Sequence, residues 1–241
     1  MQPDPRTVAR DIPGMLDEVF PQLTTGTVAH INTQIAPVPI KRIPPWLLQS
    51  SKLQKAMLFE LAYTVGEQLL QGATSIDWEY CFTETLNRQR AYFDAKLPKN
   101  LELHDKTIAE TVGKNLSDTL FAMSKAQGDP IVVRPSIPGL EWVSSGHGDF
   151  ALGDTLIEVK CTAKRFSSAD YRQVAMYWLL SYSASVEGRG DEWRRFVLLN
   201  PRNGEKLTMR FDTLLSMIGG SRTKVEILLL FQSLIGSRIK T

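Results

Sequence analysis

A short stretch past the middle of the chain leaves the backbone little choice. Residues 146–161 read Gly-His-Gly-Asp-Phe-Ala-Leu-Gly-Asp-Thr-Leu-Ile-Glu-Val-Lys-Cys. Phe150 to Leu152 is apolar, Gly153-Asp154 is a two-residue turn signal, and Leu156 to Cys161 is rich in β-branched residues. This pattern predicts a β-hairpin. In a two-residue hairpin, opposed positions have a constant sum. If Leu152 faces Thr155, then Ala151 faces Leu156, Phe150 faces Ile157, and Asp149 faces Glu158. The two carboxylates then sit across the ladder with Cβ atoms roughly 4.5–5.5 Å apart. Lys160 lies two residues beyond Glu158 and shares its face, whereas Ile157, Val159 and Cys161 point the other way, into a core.

Carboxylates forced together repel unless something neutralises them. A divalent cation does so, and Mg²⁺ in particular takes carboxylate oxygens while keeping waters for a substrate phosphate. The backbone carbonyl of Val159 is available as a further ligand. Lys160 stands beside this site, placed to orient or deprotonate a water or to stabilise a charged transition state. Such a layout suits metal-assisted phosphodiester hydrolysis.

Asp149 followed by Glu158-Val159-Lys160 on a second strand resembles the PD-(D/E)XK nuclease superfamily. Downstream, Gln173-Val174-Ala175-Met176-Tyr177 is similar to the Gln-x-x-x-Tyr of its RecB-like branch. The resemblance spans roughly residues 105–201, and Gly148 stands before Asp149 where proline is usual in that superfamily. It implies that Asp149 and Glu158 hold Mg²⁺ or Mn²⁺, that Lys160 assists the nucleophile, and that Gln173 and Tyr177 support the metal face and the nucleic acid. It also implies a further acid on the helix before the sheet. Glu110 is the candidate, on a face shared with the small residues Gly113 and Ser117. By strand alternation His147 faces Lys160, where it meets a phosphate or a metal-bound water. Lys164, Arg165 and Arg172 are natural phosphate contacts.

Composition narrows the remaining classes. With 43% hydrophobic and 22% charged residues, the chain is of ordinary globular make-up. No run approaches the length of a membrane span. Met1-Gln2-Pro3-Asp4-Pro5 carries neither a basic nor an apolar run, so no signal peptide is expected. Cys81 and Cys161 are the only cysteines and there are 3 histidines. That set makes no zinc site, and it suits free thiols in a reducing cytoplasm. Net charge is +2 but uneven: residues 193–241 hold nine Lys/Arg against Glu205, Asp212 and Glu226. Such a basic segment fits a surface that meets a polyanion.

Along the chain, residues 1–45 are broken by prolines and read as an arm or docking segment, with a short helix over Asp11 to Phe20 and a short strand over Thr27 to Ile35. Trp46 to Gln71 has helical periodicity with Gly72 as its stop. Ser75 caps a second helix to about Lys96, with Tyr92 among its apolar points, and Leu97-Pro98 marks a boundary near residue 100. Asp105 caps a helix to about Ala126, Ile131 to Val133 is a strand, and Ser167 or Ser168 caps a largely apolar helix to about Ser183. Arg195 to Asn200 and Lys206 to Phe211 are strands about an Asn203-Gly204 turn, followed by helices from Asp212 and Lys224.

The expected fold is therefore α/β. A helical N-terminal region (1–100) precedes a core (101–241) whose mixed central sheet is flanked by helices, as in restriction-endonuclease-like proteins. The expected activity is Mg²⁺-dependent DNA cleavage, in a setting such as repair, recombination or phage defence. There is no ATPase loop, so any motor is a separate partner chain, and the pattern admits an oligomer. Two further readings stay open: a nuclease-like subunit that binds nucleic acid or protein without cutting, and a scaffold subunit docked by its proline-rich N-terminus.

Overall fold

The computed structural model describes residues 2–12, 14–90 and 95–237. Three short helices open the chain: α1 (Pro5–Asp11), α2 (Met15–Val19) and α3 (Thr25–Ile31). A 3-10 turn and strand β1 (Ala36–Pro37) follow, then helices α4 (Pro45–Ser50), α5 (Lys55–Leu70), α6 (Trp78–Gln89) and α7 (Leu103–Gln127). Strands β2 (Ile131–Val133), β3 (Ser136–Ile137), β4 (Gly146–His147), β5 (Phe150–Leu152) and β6 (Thr155–Val159) lead into α8 (Ser168–Val186). The chain closes with β7 (Arg195–Asn200), β8 (Glu205–Arg210), α9 (Phe211–Ile218) and α10 (Lys224–Ser237).

The expected hairpin forms in the expected register, with Phe150 opposite Ile157, Ala151 opposite Leu156 and Leu152 opposite Thr155. Its turn needs glycine. Gly153 has a φ of +53°, and a Cβ there would lie 2.5 Å from Asp129 Oδ2. The six-stranded sheet runs β1-β8-β7-β6-β5-β2. Only β6 and β7 pair in parallel, and α8 is the crossover between them. The other pairs are antiparallel.

Alternation along β6 and β7 divides the core. Leu156, Phe196 and Leu198 face the apolar side of α8, together with α9, α10 and the N-terminal helices. Ile157, Val197 and Leu199 face α7 through Leu116 and Leu120. A sheet buried on both faces gives the near-continuous apolar runs seen in these strands. Helix α8 is buried almost all round, as its sequence predicts.

The N-terminal region departs from expectation. Thr27 to Ile35 is not a strand. Thr24 caps α3 by accepting from Thr27 N (3.2 Å), and Val28 and Ile31, three apart, are both buried. Burial of that face outweighs the β-branched composition. Of the helix expected over Asp11 to Phe20, Met15–Val19 forms α2, and Asp11 is instead the last residue of α1. The helix expected from Trp46 to Gln71 is broken, because Ser50 Oγ donates to Leu47 O (2.7 Å) and Ser51 Oγ to Asp105 Oδ1 (2.6 Å). Serine hydroxyls compete here with the helix backbone. Asp77, not Ser75, caps α6, accepting from Tyr80 N (3.0 Å). Helix α6 ends at Gln89, and Tyr92 lies outside the described residues. Asp105 is the third residue of α7 and accepts from Glu102 N (3.1 Å), the actual cap. Helix α1 packs on α8 and α5 along α7, so residues of 1–100 share the core of 101–241. Among the described residues no helix is long and apolar enough to cross a membrane.

Candidate active site

The parallel pair β6–β7 sends its carboxyl ends into a cleft of about 810 Å³. Open α/β sheets commonly bind ligands at such ends. One wall carries Arg6 and Arg10 of α1. The lining also takes in Lys55, Phe59, Glu60 and Tyr63 of α5, and the loop after β6 adds Lys164 and Arg165. Asp149, Glu158, Val159 and Lys160 form the floor.

Past Phe150 and Ile157 the backbone ladder gives way to side-chain bonds. Asp149 N donates to Glu158 Oε1 (3.2 Å), and Val159 N donates to Asp149 Oδ2 (2.7 Å). Each acid thus holds the other's strand. The carbonyl of Asp149 is pinned as well, accepting from Arg134 N (2.9 Å) and Tyr63 Oη (3.1 Å). Gly148 has a steric reason: a Cβ there would sit 2.8 Å from Leu156 Cδ1 and 3.5 Å from Glu158 Oε1. Glu158 is only 1% exposed. Burial, and then the facing Asp149, raise its pKa above the ordinary carboxylate value, and Lys160 opposes them.

Gln173 is the hub. Its Nε2 donates to Glu158 Oε2 (2.8 Å) and to Tyr177 Oη (3.0 Å). Its Oε1 accepts from Lys160 Nζ (2.8 Å) and Arg10 Nη1 (3.3 Å). Lys160 Nζ also reaches Glu158 Oε2 (3.3 Å). The four-residue spacing on α8 brings Gln173 and Tyr177 together as the sequence implies. Burial, and then Glu158, raise the Tyr177 phenol further above its ordinary value. Asp149, Glu158, Lys160, Gln173 and Tyr177 thus form one hydrogen-bonded set drawn from β5–β6 and α8.

Other expected residues fall elsewhere. Glu110 is exposed and lines a separate surface hollow with Lys41, Lys114 and Asp118. The small face that was to bring it to the metal instead seats α5: a Cβ on Gly113 would lie 2.8 Å from Ala62 O. His147 does not face Lys160. It is exposed on β4, paired with Ser136 in a separate two-stranded sheet. Arg172 turns from the cleft to an ion pair with Asp17 on α2. Lys164 and Arg165 line the cleft as expected.

Several site residues escaped the sequence reading. Glu60 lines the cleft and bonds Arg88 Nη1 (3.3 Å); burial raises its pKa against that guanidinium, and Asp149 adds to the rise. Nothing on α5 marks Glu60 out. Asp170 accepts from Ser167 N (2.8 Å) and Oγ (2.7 Å), capping α8, and from Arg10 Nη1 (3.0 Å). Burial works to raise the Asp170 pKa, but Lys160, Ser167 and Arg10 outweigh it and hold the carboxyl low. Arg6 and Arg10 did leave a signal. Asp4-Pro5 is a helix start, and Asp4 Oδ1 accepts from Thr7 N (2.9 Å), so two arginines four apart follow on one face.

Among the described residues no three His, Cys, Asp or Glu side chains gather as a ready metal cluster. The donors available to a cation are the Asp149 and Glu158 oxygens, backbone oxygen and water. Hard oxygen donors with room for water suit Mg²⁺ or Mn²⁺ rather than Zn²⁺. Cys161, expected to point into the core, is half-buried and lines the cleft, where burial and then Asp149 push its thiol up to about 12. Comparison with protein-family models, with curated proteins and with solved structures finds no match for this chain.

Proposed function

We propose that this chain is a Mg²⁺- or Mn²⁺-dependent deoxyribonuclease of the PD-(D/E)XK type, working in a reducing cytoplasm. The observation that carries the reading is the floor of the cleft. Asp149 and Glu158 face each other there, and Lys160 is held beside them by Gln173. Two acids facing each other in a buried floor make a costly arrangement for an ordinary surface or core, and a bound cation relieves it. Asp149 and Glu158 would hold that cation, and when bound it would supply Lewis acidity and lower the pKa of a water. The chain's own groups do the rest. Lys160 orients the water by donating to it. Gln173 fixes the ammonium, and Tyr177 fixes Gln173. Lys164 meets phosphate oxygens as a point charge, and Arg165 meets them through its guanidinium N–H groups.

The test is incubation with supercoiled, linear and single-stranded DNA, with and without Mg²⁺ or Mn²⁺. Cleavage by the wild type that needs the metal and disappears in Asp149→Asn and Glu158→Gln is the expected result. Wild-type rates in both variants would sink the assignment. A pure wild-type protein that binds DNA yet leaves every substrate intact, even with candidate partner proteins added, would replace it with a non-cutting binding module.

A further inference from the structure

The amide of Gln173 is buried, and its two ends have nearly the same shape, so its partners alone decide which end faces Lys160. As it stands, Oε1 accepts from Lys160 Nζ (2.8 Å) and Arg10 Nη1 (3.3 Å), and Nε2 donates to Glu158 Oε2 (2.8 Å). Turned over, Oε1 would face the Glu158 oxygen and Nε2 would face two cations that have no acceptor to offer. Tyr177 Oη, 3.0 Å from Nε2, favours neither orientation, because a hydroxyl both donates and accepts.

Two cations therefore hold the oxygen end, and they hold it unequally. The Lys160 ammonium rides on a flexible four-carbon stem, and Glu158 Oε2 is a second partner for it at 3.3 Å. Arg10 is fixed. The same Nη1 that reaches Gln173 donates to Asp170 Oδ1 (3.0 Å), and Asp170 Oδ2 is tied to Ser167 N (2.8 Å) and Oγ (2.7 Å) at the start of α8. Asp170 and Gln173 are three apart, so one face of α8 presents both acceptors to that nitrogen. Behind Arg10, Val8 and Ala9 of α1 are 0% and 3% exposed, and Ser144 N donates to Pro3 O (3.0 Å), so the helix that carries the guanidinium is docked in the core. Both N–H groups of Nη1 thus have acceptors inside the protein, which sets Arg10 apart from Lys164 and Arg165 as phosphate contacts.

We propose that Arg10 is a positioning residue of the floor: with Asp170 it locks the Gln173 amide so that the amide oxygen holds the Lys160 ammonium and the amide nitrogen holds Glu158. The part this lock plays in turnover rests on the nuclease reading. The lock itself does not, and it is measured without turnover.

The test uses metal-free, ¹⁵N-labelled full-length protein. The side-chain amide signals of Gln173, identified by their loss in Gln173→Leu, should exchange with water at least about tenfold faster in Arg10→Met, because local opening governs exchange. Arg10→Met keeps the aliphatic stem but leaves the Asp170 carboxylate without its guanidinium. Arg10→Met/Asp170→Asn strands no charge and should show the same faster exchange with the fold intact. In turnover with Mg²⁺, Arg10→Met should lower kcat about tenfold, equivalent to about 1.4 kcal/mol, and move KM less than about twofold. In the Gln173→Leu background the same substitution should change kcat less than about twofold, since the group it acts through is gone. Bound to DNA without cutting, Asp149→Asn should keep the same slope of log affinity against log salt when Arg10→Met is added, whereas a direct phosphate contact would lower that slope by about one. Gln173 exchange unchanged in both Arg10 variants, equal kcat losses in the two backgrounds, or a shallower salt slope overturns the proposal. Faster exchange in a protein that cuts no substrate leaves the lock standing while the nuclease reading falls; metal-dependent cutting with Gln173 exchange unchanged does the reverse.

Discussion

Replacing Gln173 with leucine tests whether the hub is as central as its bonds suggest. The change is nearly isosteric, so packing on α8 is kept and the loss is polar. Gln173 is 2% exposed, and its neighbours Glu158 and Tyr177 are 1% and 3% exposed. Lys160 keeps Glu158 and Arg10 keeps Asp170, so neither cation is stranded. Tyr177 Oη loses Gln173, the partner it has among the described residues, at about 1–3 kcal/mol for a buried hydroxyl left unsatisfied. Glu158, which keeps its proton in the metal-free fold, loses one of three donors, and such a bond is worth about 0.5–1.5 kcal/mol. The two losses share one amide and are not additive, which gives about 2 kcal/mol, or about 4–8 °C in Tm for a chain of this size. The decisive measurement is the double variant. Tyr177→Phe in the leucine background removes the orphaned hydroxyl, so Gln173→Leu/Tyr177→Phe should be more stable than Gln173→Leu alone, by about 1 kcal/mol in urea unfolding. Tyr177→Phe in the wild type should instead destabilise. If the second substitution costs stability in both backgrounds, the Gln173–Tyr177 bond is not what holds this face. Turnover adds a second readout: Lys160 loses its fixed position, so kcat should fall more than KM rises.

Three further outcomes follow from the same geometry. In metal-free protein the raised Glu158 pKa means the folded state keeps a proton that the unfolded chain releases; stability is greatest below the ordinary value of 4.5 and falls as pH rises from there through the raised value, whereas Glu158→Gln should flatten that slope in thermal unfolding at a series of pH values. Arg172→Ala should leave the salt dependence of DNA binding unchanged, because Arg172 pairs with Asp17 away from the cleft, while Lys164→Ala and Arg165→Ala should each lower the slope by about one; a shallower slope for Arg172→Ala would contradict its placement. Arg88→Met strips Glu67 (8% exposed side chain) of its guanidinium along with the more open Glu60 and Glu84, so unfolding free energy should drop by about 3 kcal/mol, the low end for breaking a buried pair. A loss below about 1 kcal/mol would make this network an ordinary surface one.

Where local rules act alone, the sequence was a sufficient guide. A two-residue turn fixes register by counting, so the meeting of Asp149 with Glu158 followed from the position of Gly153-Asp154. Helix periodicity put Gln173 over Tyr177 for the same reason. Glu110 and His147 mark where counting stops being enough. Glu110 had the right helix and a small-residue face, but small residues serve two ends: they admit a ligand, or they admit another helix. Gly113 admits α5, with Ala62 O where its Cβ would be. His147 obeyed the alternation only if β4 and β5 were one strand. Gly148 N instead bonds Pro135 O (2.9 Å), and the chain changes partner sheet between His147 and Phe150.

The N-terminal hundred residues carry the weakest structural signal in the chain, and the cause is physical. Helices α1 to α4 are only 5–7 residues long, and isolated short helices are unstable in water, so their pattern carries little signal until a partner surface exists. Helix α1 exists because Val8 and Ala9 bury against the α8 side of the core and Arg10 reaches Asp170, which stands 160 residues away. The same contact places a cation at Gln173 Oε1, beside Lys160. A proline-punctuated stretch that looks like a docking arm is thereby one wall of the cleft. The floor of the cleft is a local product of a hairpin and one helix. Helices α1 and α5, which also line the cleft, are brought to it only by the tertiary fold.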